Sequence, residues 1–192
     1  MVNACFQNSV NITPSGMPQY LAGDMIGNRN LLNPSLSAIV KINSSVPQPI
    51  GGFTWYVNNQ TCAPIKAEST GVLLGFVGRT QDTVFPNANV SQGWSMAVQQ
   101  GYQLQYFPTG TFAAICPSLN NDGAGPILYG DLVLINNTTG ALGSKTSLPM
   151  VGWTQCITGN LPWIVIDLTP VYDAQGTVIS NLVVISNTQS TI

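Results

Sequence analysis

Gly93-Trp94-Ser95-Met96-Ala97 places a serine in a pattern close to the nucleophile elbow G-x-S-x-G, with alanine last. An elbow holds the serine hydroxyl on a strained turn where a histidine takes its proton. The chain has no histidine, and no Ser-x-x-Lys pair replaces it. Without a base the serine is inert, and a strand beginning at Trp94 is the better reading. Ser-His-Asp and Cys-His pairs and every His-containing metal site are excluded on the same ground.

The carboxylates offer little more. Asp122 and Asp131 form an acid/base pair for glycoside cleavage only if the fold sets them a fixed distance apart, and Asp122 precedes Gly123, the usual context of a turn former. Ser118-Leu119-Asn120-Asn121-Asp122-Gly123 echoes a calcium loop, yet Ser118 and Tyr129 stand where the strong carboxylate ligands belong. Gly123-Ala124-Gly125 lacks both the third glycine of a dinucleotide fingerprint and the Gly-Lys of a P-loop. Asp167 interrupts an apolar strand on the face of Val165 and reads as an outward residue of a half-solvated sheet. No cofactor and no metal is expected.

Cys5, Cys62, Cys116 and Cys156 lie far apart without a C-x-x-C pair. Met1–Gly16 has no basic or apolar segment of an export signal. Synthesis in a reducing cytosol and four buried thiols are therefore expected. The sequons at Asn11, Asn43, Asn59, Asn89, Asn136 and Asn137 then read as turn residues. The longest apolar stretches, such as Gly71–Gly78, fall far short of the ~20 residues that span a bilayer.

Along the chain the dominant hydrophobic period is two. Phe53, Trp55 and Val57 alternate with Thr54 and Tyr56; Tyr102, Leu104 and Tyr106 alternate with Gln103 and Gln105. Ile164, Ile166 and Leu168 alternate with Val165, Asp167 and Thr169. Such alternation makes strands with one buried face. Further strands are predicted over Leu36–Ile42, Gly71–Arg79, Trp94–Gln99, Thr111–Cys116, Asp131–Asn136 and Thr177–Ser186. Turns fall at Phe107–Gly110, Asn136–Gly140 and Asp173–Gly176. The 19 Gly and 13 Pro leave room for one short helical turn, within Tyr20–Leu32. The fold class is all-β: a β-barrel or jelly-roll-like sandwich over residues 21–192 with an extended N-terminal arm over 1–20. A soft lobe boundary is expected near 117–126, as a long loop.

Composition points to a kind of surface. Only 6% of the 192 residues are charged, with a net charge of −2, against about a quarter in an average soluble domain. Apolar residues make up 44%, so a core is available and a disordered chain is not expected. Arg29, Lys41, Lys66, Arg79 and Lys145 are scattered, and nucleic-acid binding needs clustered cations. Charge depletion alongside 4 Trp, 6 Tyr, 6 Phe and 5 Met is the composition of interface cores. It describes a protein that spends its life packed against neighbours better than a neutral monomer.

The motifs follow one another in a definite order. After a polar start come Ala22-Gly23-Asp24, Gly52-Phe53-Thr54-Trp55 and Gly75-Phe76-Val77-Gly78-Arg79. Gly110-Thr111-Phe112-Ala113 and Gly130-Asp131-Leu132-Val133 follow, before a Thr-Thr-Gly turn. This order resembles the structural cement, or head-decoration, proteins of tailed bacteriophages, over roughly residues 20–140. The V-P-x-G pattern expected near Gly101 is absent, and the last ~50 residues read as an extension.

The resemblance implies a non-enzymatic protein of β-barrel or jelly-roll fold, a homodimer or homotrimer on the virion. It would bind the outside of the shell of the major capsid protein and staple neighbouring capsomers of the expanded head, with no nucleic-acid or membrane partner. The structural or interface candidates are Trp55, Arg79, Trp94 and Phe112. An arginine closing an apolar strand needs a carboxylate or carbonyl partner, here expected inside the protein. The tryptophans are core candidates first and interface anchors second. The competing readings are a tail, baseplate or receptor-binding component, a carbohydrate-binding β-sandwich, and a carboxylate glycosidase.

Overall fold

The computed structural model describes residues 22–26, 35–79, 97–117, 127–145, 150–172 and 178–188. Within them the strands are β1 (Leu36–Val40), β2 (Gln48–Pro49), β3 (Phe53–Asn58), β4 (Thr61–Ala63) and β5 (Leu73–Phe76). Then come β6 (Ala97–Val98), β7 (Gln103–Tyr106), β8 (Thr111–Pro117), β9 (Leu132–Asn136) and β10 (Leu142–Lys145). The last are β11 (Trp153–Gln155), β12 (Ile157–Thr158), β13 (Leu161–Pro162), β14 (Ile164–Tyr172) and β15 (Val178–Ser186). A 3-10 turn at Lys66–Glu68 is the helical element among the described residues. The fold is all-β, as expected.

Two sheets carry the architecture. The first runs β5-β3-β4-β1-β7, with only β1 and β4 parallel. Its first and last strands meet where Phe76 N–H donates to the Phe107 carbonyl at 2.9 Å and Phe107 N–H returns the bond at 2.8 Å. That bridge curls the sheet into a barrel-like shell. Period-two alternation sends Ala38, Val40, Cys62, Leu74 and Leu104 to a core of their own, joined by Ile50, Val77, Val98 and Tyr106. Glycine makes the closure possible. A Cβ on Gly75 would stand 2.5 Å from the Phe107 carbonyl oxygen.

The second sheet runs β10-β9-β14-β15-β8, with β11 also pairing β9. Its backbone is the long β14–β15 hairpin, flanked by β8 in continuous register from Ser180–Pro117 to Ser186–Thr111. The sheets enclose the larger core. Phe53, Trp55 and Phe76 from the first sheet meet Phe112, Ala114, Val133, Val165, Val183 and Ile185 from the second. Phe53 stands edge-on to Phe76 and to Trp163, each with ring centroids 5.3 Å apart. Such edge-to-face pairs add to the apolar area they remove from water. Cys116 and Ile127 lie in this one core, so residues on both sides of 117–126 share it. Residues 118–126 of that expected loop, and the arm at 1–20, fall outside the described residues.

One sequence expectation changes, at β14. Residues 22–26, inside the Tyr20–Leu32 stretch allowed a helical turn, form a turn and an extended bridge, with Met25 opposite Phe112, and the rest of that stretch lies outside the described residues. The free edge of β8 offers backbone partners that a segment with weak helical periodicity takes. At β14, strict alternation would set Val165 and Asp167 on one face. A β-bulge between them breaks the register, so Val165 is fully buried while Asp167 is exposed. Leu168 then packs against the core.

Candidate functional site

The glycine-marked motifs are far apart in sequence and converge on one seam. Gly23 N–H donates to Ala113 O at 2.8 Å, and Ala113 N–H donates to Asp24 O at 2.9 Å. On the other side Arg79 N–H donates to Gly23 O at 2.7 Å. Gly51 N–H reaches Val77 O, and Val77 N–H reaches Gly52 O. Ala22-Gly23-Asp24 is thus wedged between the end of the barrel and the edge of the second sheet. Gly23 sits at φ +91°, and a Cβ there would stand 2.5 Å from Ile50 Cγ2. Glycine is required on both counts.

Arg79 finds its partner inside the protein. Its Nε lies 3.4 Å from Asp24 Oδ1, and its Nη2 donates to Ala22 O at 3.4 Å. Nε makes an ion-pair contact there without a hydrogen bond. The side chains are 24% and 33% exposed, so water screens the pair and its contribution stays below about 1 kcal/mol. Trp55 and Phe112 are wholly buried in the aromatic core. Lys66 Nζ stands 5.7 Å from the Trp55 ring centroid, a cation–π contact. Trp94, like Ser95 of the elbow-like motif, lies outside the described residues.

A second node escaped sequence reading. Trp163 Nε1–H donates to Thr158 Oγ1 at 2.8 Å, and the Thr158 hydroxyl donates to the Pro108 carbonyl. Asn187 Nδ2 donates to Pro108 O at 2.9 Å and to Thr158 Oγ1 at 3.0 Å, while its Oδ1 accepts Gly110 N–H at 2.9 Å. This buried network ties the turn after the barrel closure to the end of β15. No motif marks it, because each member is an ordinary polar residue.

The carboxylates do structural work. Asp131 is buried and accepts Leu128 N–H at 2.9 Å, and Asp167 accepts Leu168 N–H at 2.8 Å. Asp122 lies outside the described residues. Glu68 takes Ser44 Oγ–H at 2.6 Å and Ser45 N–H at 2.7 Å. Its pKa is lowered: desolvation works to raise it, but those hydrogen bonds and nearby Lys41 outweigh that. Among the described residues no group of acids and cysteines is placed to hold a metal ion. Cys62, Cys116 and Cys156 are free and buried. Burial raises all three thiols, that of Cys116 to about 12. High thiol pKa values make them packing residues and poor nucleophiles.

Taken together, the seam and the network tie the strands of a charge-poor β body to one another. The family of phage structural cement proteins matches residues 6–182 of the chain. The chain belongs to that family, whose members are structural components of the virion and stabilise its capsid. The match runs through β14 and into β15, so the C-terminal strands read as an extension from sequence fall within the family's extent for most of their length. No curated protein matches the chain.

Proposed function

We propose that this protein acts without catalysis, binding the outer surface of the phage head and stapling neighbouring copies of the major capsid protein in the expanded shell. The observation that carries the reading is the family match over residues 6–182. The physics supports it: a modest contact repeated over a shell resists internal pressure because many contacts must fail together. A homodimer or homotrimer would present identical patches to neighbouring capsomers. A surface poor in charge makes contacts that salt does not screen. On this reading the chain is made in the host cytoplasm, and its partners are the capsid protein and itself, with no nucleic acid and no membrane.

Reconstitution tests this. Purified protein added to expanded heads that lack it should bind saturably and raise the temperature at which they release DNA. Saturable binding with no change in that temperature would contradict a stapling role.

A further inference from the structure

Residues 22–26 form an extended strap inserted between the two sheets. On one side Gly23 N–H donates to Ala113 O at 2.8 Å, Ala113 N–H to Asp24 O at 2.9 Å and Ile26 N–H to Thr111 O at 2.9 Å. On the other, Arg79 N–H donates to Gly23 O at 2.7 Å and Arg79 Nη2 to Ala22 O at 3.4 Å. Met25 sits opposite Phe112 and packs against the larger core. The strap thus fills a slot walled by the edge of β8 and by the segment leaving β5. A slot of that kind accepts one extended segment through its backbone groups.

The slot selects its occupant. A Cβ on Gly51 would stand 2.8 Å from Ala22 Cβ, and a Cβ on Gly23 would stand 2.5 Å from Ile50 Cγ2. Only glycine fits at the second place of the strap. Arg79 calls for a carboxylate at the third, where Asp24 Oδ1 lies 3.4 Å from its Nε. Phe112 calls for an apolar side chain at the fourth. Gly23-Asp24-Met25 supplies all three in order, and every copy of the chain carries it.

Chain length does not tie the strap to its own body. Ile26 lies beside Thr111, and Leu36 at the start of β1 lies opposite Tyr106. Both ends of the connection therefore sit at the flanks of one turn, Phe107–Gly110. The nine peptide steps from Ile26 to Ser35 reach about 30 Å when extended, more than that turn requires. A strap given to a neighbour remakes every one of its contacts there, which makes exchange of an identical element a low-cost route to a dimer.

We infer that the slot takes residues 22–26 of a second copy, so that two copies are joined by reciprocal exchange of this strap about a two-fold axis. The exchange rests on the self-association in the reading above and supplies the contact that makes it. Copies side by side on a shell raise the effective concentration of a neighbour's strap.

The full chain carrying Ile26→Cys with Thr111→Cys tests the exchange. The two positions face each other in the antiparallel register set by Met25 and Phe112, within reach of a disulfide. After oxidation with diamide, exchanged chains should run as covalent dimers under denaturing, non-reducing conditions and return to single chains on reduction. Asp24→Arg and Arg79→Asp chains, refolded together, give a second reading without added cysteine. Like charges meet in every slot of either variant alone, and crossed straps restore opposite charges in both slots. Native mass spectrometry should show the mixed dimer at least about tenfold above its statistical share. If the disulfide closes within one chain and the mixture is statistical while the unaltered protein is dimeric, exchange is overturned and self-association stands. If the unaltered protein stays single, self-association falls and the exchange with it.

Discussion

Gly75 and the Phe107 carbonyl are in such close contact that the barrel closes only because position 75 has no side chain. The reciprocal Phe76–Phe107 hydrogen bonds depend on that approach. Backbone on the far side cannot move aside as the tip of a flexible side chain would. Gly75→Ala should therefore cost about 1–3 kcal/mol, read as a lower midpoint in denaturant unfolding. Gly130→Ala is the comparison. A Cβ at Gly130 meets nothing within 4 Å, so its cost comes only from φ +87°.

Asn187 should rank among the costliest polar substitutions. Asn187→Ala strands the Gly110 N–H and removes two donors from Pro108 O and Thr158 Oγ1. An unsatisfied buried group costs about 1–3 kcal/mol. Thr158→Val attacks the same network, so the double variant should lose less than the sum of the singles. Simple additivity in a double-mutant cycle would mean the two residues act separately.

The Arg79–Asp24 pair should behave as a half-solvated contact. Arg79→Met and Asp24→Asn should each lower stability by about 1 kcal/mol or less, with a coupling energy that shrinks as salt is added. A coupling of several kcal/mol, insensitive to salt, would show that the pair is sealed from water.

Stability should fall on both sides of neutrality. Glu68 has a folded pKa below its ordinary 4.5. Its contribution is complete above that value and is lost as pH falls through the lower folded pKa, so Glu68→Gln should flatten the acid limb. Cys116 goes the other way, from 9.0 up to about 12. Its contribution is full below 9.0 and declines as pH rises toward 12, because only the unfolded chain ionises the thiol there. Cys116→Ala should flatten the alkaline limb, even where it lowers stability overall. Unfolding midpoints measured across pH check both limbs.

Much of the strand pattern was legible because Phe53 and Trp55 of β3 and Leu104 and Tyr106 of β7 are buried at a spacing of two, although Thr54 between the first pair is buried as well and Tyr102 is exposed. The short strands escaped. β4 follows the turn at Asn59 and Gln60, both at positive φ, without the glycine that marks a hairpin. β10 and β13 carry Gly143, Ser144 and Pro162, which read as loop. The β14 bulge was invisible because one unpaired residue leaves composition unchanged while reversing the faces beyond it. At the seam, the expectation of an internal partner for Arg79 held. Asp24 as that partner did not show, since Asp24 and Arg79 meet only through tertiary packing.

The most direct test of the capsid reading is quantitative mass spectrometry of gradient-purified particles, giving copies of this protein relative to the major capsid protein. A ratio near one-to-one is the expected result, since a staple must coat the lattice. A handful of copies per particle would move the protein to the tail, and its absence from particles would contradict the account altogether.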